Sequence, residues 1–462
     1  MNDTIAAIST AFGEAAIALL RLSGERAVEI AATAFRPKKG AAELTPRVAH
    51  FGSIFDGDRR LDDVLLTVFR APASYTGEDV VEISCHGGVL VSRRILEVLL
   101  RAGARSAGPG EFTQRAFLNG KLDLTQAEAV MDVISAQTDL ALRAASEQLE
   151  GRLGDRIRAL RAAVLDTLAQ VEAHIDFPEE DIEPETGAAL RGRIETALAE
   201  VGALLATAGQ GKMLREGLRT VIFGAPNVGK SSLLNRLLGY ERAIVSHHPG
   251  TTRDVLEETI NVRGIPVRLM DTAGVRESAD EIEQAGMERT RRAMERADLV
   301  LHLVDASGDA AMWSLRPVGP AVGTEDVADP GAEPASRRHT ELLVLNKADL
   351  GVHASWLERG GIAVSALTGE GFEKMLDAIV DAALGGAAKG DWSVAINARH
   401  QSCLEQARDF LRAALGALDQ ALSPEFIAEE LRAAMDAVGD IVGRADTEEL
   451  LGVIFGQFCI GK

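Results

Sequence analysis

The sequence GAPNVGKS at Gly224–Ser231 decides the fold of the central part of this chain. An apolar run, Leu218–Phe223, precedes it, and the segment SLLNRLL that follows has helical spacing. A strand, a glycine-rich turn and a helix N-terminus in this order form a P-loop, whose backbone N–H groups bind a phosphate chain. The alternative is a chance match in a glycine-bearing loop, which the flanking strand and helix patterns disfavour. The stretch therefore predicts a nucleoside triphosphate site.

Single side chains of the P-loop have predicted roles. Lys230 can reach the β- and γ-phosphates, and the Ser231 hydroxyl can bind Mg²⁺. A side-chain oxygen at Asn227 could help to hold a monovalent cation near the phosphate bridge, where its charge would substitute for an arginine finger. The predicted nucleotide contacts in this stretch are Asn227, Val228, Gly229, Lys230, Ser231 and Ser232.

Two further motifs follow the P-loop. DTAG at Asp271–Gly274 comes after the apolar run Val267–Met270, and an aspartate there can hold Mg²⁺ through water while the Gly274 N–H meets the γ-phosphate. GTTRD lies before it, at Gly250–Asp254, and offers Thr252 as the natural second Mg²⁺ ligand. The predicted nucleotide contacts in DTAG are Asp271, Thr272, Ala273 and Gly274.

NKAD at Asn346–Asp349 predicts that the base is guanine. An aspartate accepts two hydrogen bonds from the N1–H and the 2-amino group of guanine. Adenine lacks this donor pair and would leave a buried carboxylate unpaired, which is costly. SAL at Ser365–Leu367 follows the last apolar run and is expected to close over the base. The predicted contacts are Asn346, Lys347, Asp349, Ser365, Ala366 and Leu367.

Length and composition fit a multidomain α/β protein of the cytoplasm. The chain has 462 residues, of which 46% are hydrophobic and 26% charged, enough for two or three domains. Its first residues lack the profile of a secretory signal, no apolar run is long enough to span a bilayer, and three cysteines are too few for a disulfide framework. The net charge of −20 means that a nucleic-acid substrate would need a local basic patch or a partner protein.

The order of patterns predicts a G domain inserted between two helical pieces that pack together. Residues 1–120 read as an α+β domain, residues 121–216 and 386–462 as an all-α domain in two parts, and residues 217–385 as a Ras-like P-loop domain with a doubly wound sheet. Residues 306–339 are rich in Gly, Pro, Ala and charge, so we expect a mobile surface loop.

Individual elements are predicted from periodicity. A buried stripe on one long helix follows from apolar residues at steps of three or four. A helix is predicted over Val89–Leu100. The stripe consists of Leu153, Ile157, Leu160, Val164, Leu168 and Val171. The predicted strands are Ile5–Ser9, Ala16–Leu22, Val64–Phe69, Val80–Ser84, Leu218–Phe223, Val267–Met270, Leu299–Val304, Leu342–Leu345 and Ile362–Val364.

The residues alone do not identify the group that orients the attacking water. Ras-like enzymes carry a glutamine after DTAG, whereas this chain has Val275, which cannot orient water. Four acidic residues follow, and no spacing rule chooses among them. They are Glu277, Asp280, Glu281 and Glu283.

These motifs, together with FTQRAFLNGKLDLTQAEA at residues 112–129 and FCIGK at 458–462, resemble the MnmE (TrmE) family of tRNA-modification GTPases over nearly the whole chain. The stretch 306–339 departs from the resemblance. The alternative is a binding switch, such as a ribosome-assembly GTPase related to Era. Such a switch should carry a basic RNA-binding module, whereas the flanks here are acidic helices.

For the G domain, the resemblance implies potassium-stimulated hydrolysis of GTP, with two G domains dimerising across the nucleotide. It selects Glu283 as the carboxylate that orients water, with Arg276 in support. The implied Mg²⁺ ligands are Ser231 and Thr252, the implied K⁺ ligands are Asn227, Ser246, His248 and Thr251, and the implied switch contacts to GTP are Ser246, His247, His248, Pro249, Gly250, Thr251 and Thr252.

For the N-terminal domain, the resemblance implies constitutive homodimerisation and a bound tetrahydrofolate in its 5,10-methylene or 5-formyl form. A carboxylate can pair with the amino-pyrimidine edge of a pterin, and cations suit the glutamate tail. Without the family, each implied position would be a surface charge or a local ion pair. The implied folate positions are Arg21, Glu82, Lys121 and Lys462.

The resemblance also implies a flavoprotein partner, MnmG, in a heterotetramer. Together the two would add an aminomethyl or carboxymethylaminomethyl group to C5 of the wobble uridine of certain tRNAs. Cys459 is then either a reactive thiol or, as we favour, a structural or folate-pocket residue. Cys85 is expected to be incidental, although His86 is its neighbour.

Overall fold

The computed structural model describes residues 3–38, 44–176, 187–240, 258–270, 293–310, 340–384, 395–443, 448–456 and 458–462. The chain divides into two compact units. One consists of Met1–Met131, Leu149–Ala197 and Asp409–Lys462, and the other of Asp132–Gln148 and Leu198–Arg408. Mixed sheets and many helices agree with a multidomain α/β protein, while the domain boundaries given above stay predictions.

The first unit contains a mixed sheet near the chain start. All neighbouring strands are antiparallel except the first and seventh, which are parallel. The four strands predicted before residue 120 are confirmed, and the short edge strands β3 and β7, together with β4, were missed. The strands are β1 (Ile5–Ile8), β2 (Ile17–Ser23), β3 (Phe35–Pro37), β4 (Ala49–Asp56), β5 (Arg59–Phe69), β6 (Val80–His86) and β7 (Arg105–Ser106), in the spatial order β3-β4-β5-β6-β2-β1-β7.

The second unit contains a sheet whose strands are parallel except at one edge. Its central strand, β11, is buried along nearly its whole length, as expected for a parallel strand covered on both faces. The five predicted strands are confirmed, and the antiparallel edge strand β9 was missed. The strands are β8 (Leu218–Phe223), β9 (Glu258–Val262), β10 (Ile265–Met270), β11 (Leu299–Asp305), β12 (Thr340–Asn346) and β13 (Ile362–Ala363), in the order β13-β12-β11-β8-β10-β9.

Helices make up much of the remaining described chain. None of those in the described ranges is long and apolar enough to cross a membrane. They are α1 (Ala27–Ala34), α2 (Val89–Arg101), α3 (Glu111–Leu118), α4 (Leu124–Ser135), α5 (Asp139–Leu149), α6 (Arg152–Asp176), α7 (Gly187–Leu205), α8 (Ala208–Glu216), α9 (Lys230–Tyr240), α10 (Ala354–Leu357), α11 (Phe372–Leu384), α12 (Ala398–Asp419), α13 (Pro424–Val442) and α14 (Glu448–Phe455).

Helix α6 packs against α13 within the first unit. All six residues of the predicted α6 stripe are buried, and an ion pair between Arg432 and Glu172 borders the contact. Helix α13 begins with Pro424 in its first turn, where a missing N–H costs nothing, and is followed by Gly443 at φ 91°. The two helices therefore form one core from segments far apart in sequence.

The residues at the chain end pack on the first sheet. Ser9 Oγ donates to the Gly461 carbonyl at 3.0 Å, and the Phe112 N–H donates to the Lys462 carbonyl at 3.1 Å. Gly461 has φ 99°, and a Cβ there would lie 2.6 Å from the Ile8 carbonyl oxygen. Only glycine fits this close approach of two backbones.

We expect Ile157→Ala to lower the free energy of unfolding by about 2–5 kcal/mol, because Ile157 is fully buried in the α6 stripe and truncation leaves a cavity. Leu165→Ala on the same helix is the matched control, since Leu165 is 44% exposed, and it should cost less than about 1 kcal/mol. Urea denaturation followed by circular dichroism measures both. Equal losses would contradict the assignment of the buried face.

Candidate functional site

The P-loop joins the end of β8 to the start of α9. Its turn needs positive φ at Asn227 (64°) and Gly229 (98°). The Lys230 ammonium donates to the carbonyls of Gly224 at 2.9 Å and Ala225 at 2.8 Å, so it lies across the loop that it belongs to. Burial lowers the pKa of Lys230. A phosphate chain in the loop would meet this ammonium together with the N-terminus of α9.

Two glycines of the P-loop are required by close contacts. A Cβ at Gly224 would lie 2.2 Å from the Leu303 carbonyl oxygen on β11, and a Cβ at Gly229 would lie 2.2 Å from the Asn346 side-chain nitrogen. Both distances are far below van der Waals contact, so another residue would have to displace the β11 backbone at the first position or the Asn346 carboxamide at the second. The glycine spacing of the motif therefore has a packing reason in addition to its phosphate chemistry.

Asn346 connects the P-loop to the SAL loop. It is only 2% exposed. Its Nδ2 donates to the Val228 carbonyl at 2.7 Å, and its Oδ1 accepts from the Ala366 N–H at 2.9 Å. A buried amide with both ends bonded holds its partners in register, because losing either bond would leave a polar atom unsatisfied. The structure therefore brings three predicted nucleotide-binding segments together through one side chain.

Lys347 and Asp349 follow Asn346 with different environments. Lys347 has φ 63°, and its Nζ donates to Asp305 at 2.6 Å. Burial alone would raise the pKa of Asp305, but hydrogen bonds from Lys347 and Ser307 outweigh it and hold the pKa below its usual value. Asp349 lies in a short 3₁₀ turn, Ala348–Leu350, and is exposed. Its carboxylate makes no hydrogen bond within the described ranges, which suits a base-recognition role.

The SAL loop is closed by its own hydrogen bonds. Ser365 is fully buried, its hydroxyl accepts from the Thr368 N–H at 3.0 Å, and its carbonyl accepts from the Gly369 N–H at 2.8 Å. Ala366 is buried, whereas Leu367 is 80% exposed. The loop thus presents Leu367 to the outside on a fixed backbone.

Ser231 and Ser232 lie in the first turn of α9 and are exposed. The remaining G-domain predictions fall outside the described residues, as does most of the predicted loop at 306–339. No group of three or more His, Cys, Asp or Glu in the described part of the chain could hold a metal ion. The predicted site residues outside the described ranges are Ser246, His247, His248, Pro249, Gly250, Thr251, Thr252, Asp271, Thr272, Ala273, Gly274, Arg276 and Glu283.

In the N-terminal sheet, Arg21 and Glu82 face each other across β2 and β6. Arg21 donates to Glu82 Oε1 through Nη2 at 2.8 Å and Nε at 3.0 Å. Its guanidinium also lies over the rings of Tyr75 and Phe112, at 5.2 and 5.7 Å from their centroids. A carboxylate held by a cation beside two aromatic rings can receive a flat, nitrogen-rich heterocycle.

The two predicted lysines make no hydrogen bond to this pair in the described structure. Lys121 Nζ donates to the Pro72 carbonyl at 3.2 Å, in the loop that also carries Tyr75. Lys462 is bound through its backbone carbonyl to Phe112. Cys459 is exposed in the terminal segment. The structure therefore brings Arg21 and Glu82 into contact, whereas both lysines bond to other residues.

The same unit contains an ionic cluster that was not predicted from the sequence. Arg115 is 1% exposed and donates to Asp3, Glu78 and Glu111. Burial alone would raise the pKa of Glu111, but bonds from Arg105, the Gly108 N–H and Arg115 keep it below its usual value. The partners come from three separate segments, so the only sequence signal was an arginine inside an otherwise helical motif.

Cys85 belongs to the hydrophobic core of the first sheet. It is buried in β6, and burial, together with the charge of Asp62, raises the pKa of its thiol to about 11. His86, the next residue of the strand, points to the opposite face, where it is exposed and its Nδ1 is hydrogen-bonded to Asp62 at 2.7 Å. A thiol that stays protonated at neutral pH is a poor nucleophile.

Comparison with known families covers nearly all of the chain. Residues 4–121 match the family model described as "GTP-binding protein TrmE N-terminus", and residues 124–459 match the one described as "MnmE helical domain". The second match alone spans more than half of the chain.

Curated proteins similar to this chain carry one name, "tRNA modification GTPase MnmE". The protein from Akkermansia muciniphila is 50% identical over 99% of this chain and 99% of its own length. Those from Geobacillus kaustophilus and Bacillus subtilis are 44% and 43% identical over 100% of this chain, and over 99% and 100% of their own lengths.

Proposed function

The chain belongs to the MnmE family of tRNA modification GTPases, and on this premise we propose that it hydrolyses GTP in the course of tRNA modification. More finely, it is a potassium-stimulated GTPase that works with the flavoprotein MnmG in the cytoplasm. Together they add an aminomethyl or carboxymethylaminomethyl group to C5 of the wobble uridine, using a folate-borne one-carbon unit.

One observation carries the nucleotide part of this proposal. Asn346 ties the P-loop carbonyl of Val228 to the Ala366 N–H, so the loop for the phosphates and the loop for the base form one hydrogen-bonded unit. The Lys230 ammonium is the cation for the phosphates, and the exposed Asp349 carboxylate is the acceptor for the N1–H and 2-amino donors of guanine. This arrangement favours GTP over ATP.

Two metal ions would add positive charge to that of the Lys230 ammonium at the phosphates. Mg²⁺ would be held by the Ser231 hydroxyl and Thr252, and K⁺ by the side chain of Asn227 with backbone oxygens of Ser246, His248 and Thr251. Ser231 and Asn227 fit these roles because both lie on the P-loop, exposed, and both carry a side-chain oxygen.

The N-terminal sheet is the proposed folate site. Support comes from the ion pair of Arg21 and Glu82 beside the rings of Tyr75 and Phe112, since the carboxylate suits the amino-pyrimidine edge and the rings suit the flat pterin. Lys121 and Lys462 then attract the glutamate tail. This domain also forms the homodimer, to which MnmG and tRNA bind.

In a strain that lacks this protein, we expect unmodified uridine at the wobble position in place of its C5-aminomethyl derivatives. Nucleoside analysis of purified tRNA by mass spectrometry measures this, with the complemented strain as control. Normal tRNA together with accumulating ribosomal subunits would instead favour the ribosome-assembly alternative.

Replacing potassium with sodium should slow GTP turnover by at least about tenfold, because the cation substitutes for an arginine finger. The assay is repeated with the reduced folate, the flavoprotein and tRNA omitted one at a time. The comparison shows which of these components GTP turnover needs and which are needed only for the tRNA modification. Equal turnover in both salts would remove the cation site from the proposal.

We expect Glu283→Ala to lose GTP turnover by about 10²-fold or more while GTP affinity stays the same, because this carboxylate acts on water and not on the nucleotide. Calorimetry gives the affinity and phosphate release gives the rate. Glu281→Ala, a neighbouring acidic residue, is the matched control. A parallel collapse of affinity and rate would contradict the role given to Glu283.

A further inference from the structure

Arg236 links the P-loop helix to the SAL loop. It lies on α9, six positions after Lys230 in the sequence, and is half-buried. Its Nε donates to the Ala366 carbonyl at 2.7 Å, and its Nη2 donates to the Leu367 carbonyl at 2.7 Å. A planar guanidinium can hold two successive carbonyls in one fixed geometry, which a lysine ammonium cannot reproduce.

The loop is shaped to accept this guanidinium. Gly369 has φ 93°, and a Cβ there would lie 2.5 Å from Arg236 Nη1. Gly371 has φ 71°, and a Cβ there would lie 1.9 Å from the Ala363 carbonyl oxygen. The Phe372 ring lies on the other side, with its centroid 5.8 Å from Arg236 Cζ. Both glycines are therefore needed for the loop to fold back against α9 with Arg236 in place.

Holding these carbonyls fixes the donors of the loop, because the C=O and N–H of a trans peptide point in opposite directions. The Ala366 N–H is bonded to Asn346, and the Thr368 N–H to Ser365 Oγ. The Leu367 N–H, which shares its peptide with the Ala366 carbonyl, has no partner among the described residues. Arg236 therefore orients the one donor between them that is available to a ligand.

We infer that Arg236 is a positioning residue for base recognition: it aims the Leu367 N–H at the exocyclic oxygen at position 6 of guanine. An N–H donor bonds to that carbonyl, whereas adenine presents an amino donor at the same position. The inference rests on the proposed GTP function and adds to it a residue that does not touch the base but sets the direction of a loop N–H that does. It also makes base recognition depend on the helix that binds the phosphates.

The test compares Arg236→Ala and Arg236→Lys with Arg359→Ala, an exposed arginine of the same unit that stacks on Trp356 instead. The ligands are GDP and the diphosphate of 2-aminopurine riboside, which lacks the oxygen at position 6 and also the N1–H, so each variant is compared with the wild type on the same ligand. Arg236→Ala should weaken GDP binding about tenfold, as for the loss of a charge-assisted hydrogen bond, and weaken binding of the analogue less than about twofold. The GDP affinity of Arg236→Lys should lie between those of the wild type and Arg236→Ala, and the GDP affinity of Arg359→Ala should match that of the wild type.

In turnover assays, KM for GTP should rise in Arg236→Ala while kcat stays within about twofold of the wild type, because the residue does not touch the reacting phosphates. An unchanged GDP affinity, or equal losses for GDP and the analogue, would overturn the inference. If circular dichroism shows that Arg236→Ala is unfolded, Arg236→Lys replaces it in the comparison of GDP with the analogue. A wild-type protein that fails to bind GDP at all would overturn the proposed function instead.

Discussion

The carboxamide of Asn346 is the contact on which the nucleotide site depends. It is buried, and it hydrogen-bonds to the P-loop through Val228 and to the SAL loop through Ala366. Gly229 has to be a glycine because this carboxamide occupies the space of its Cβ. The geometry of two loops and the identity of one residue in the P-loop thus follow from a single side chain at the end of β12.

The parallel sheet is what brings these parts to one place. Strands β8, β11, β12 and β13 run side by side in the same direction, so the segments that follow them emerge at the same edge. The P-loop, Asp305, the NKAD motif and the SAL loop are therefore neighbours although up to about 140 residues separate them in the sequence. Cross-links such as Lys347 with Asp305 then fix the positions of side chains that the sheet has only brought close.

How much could be predicted from sequence depended on whether a feature is local. The buried parallel strands were predicted because each is a continuous apolar run, and the P-loop because all its residues are contiguous. Short edge strands such as β7 and β9 were missed because two to five residues of mixed polarity carry little periodic signal. The bond from Arg236 to the SAL loop spans about 130 residues, and Arg115 gathers carboxylates from three segments, so neither has a local pattern.

The contact between the first strand and the terminal FCIGK segment has a consequence for biosynthesis. Ser9 and Gly461 are bonded to each other but are 452 positions apart. At about 5–20 residues per second, a ribosome needs on the order of half a minute to travel between them. During that time β1 can pair with β2 and β7, whereas the contact with the FCIGK segment cannot yet form. The contact between these two segments can therefore form only after residues 9 to 461 have all been synthesised, whatever else of the chain has already folded.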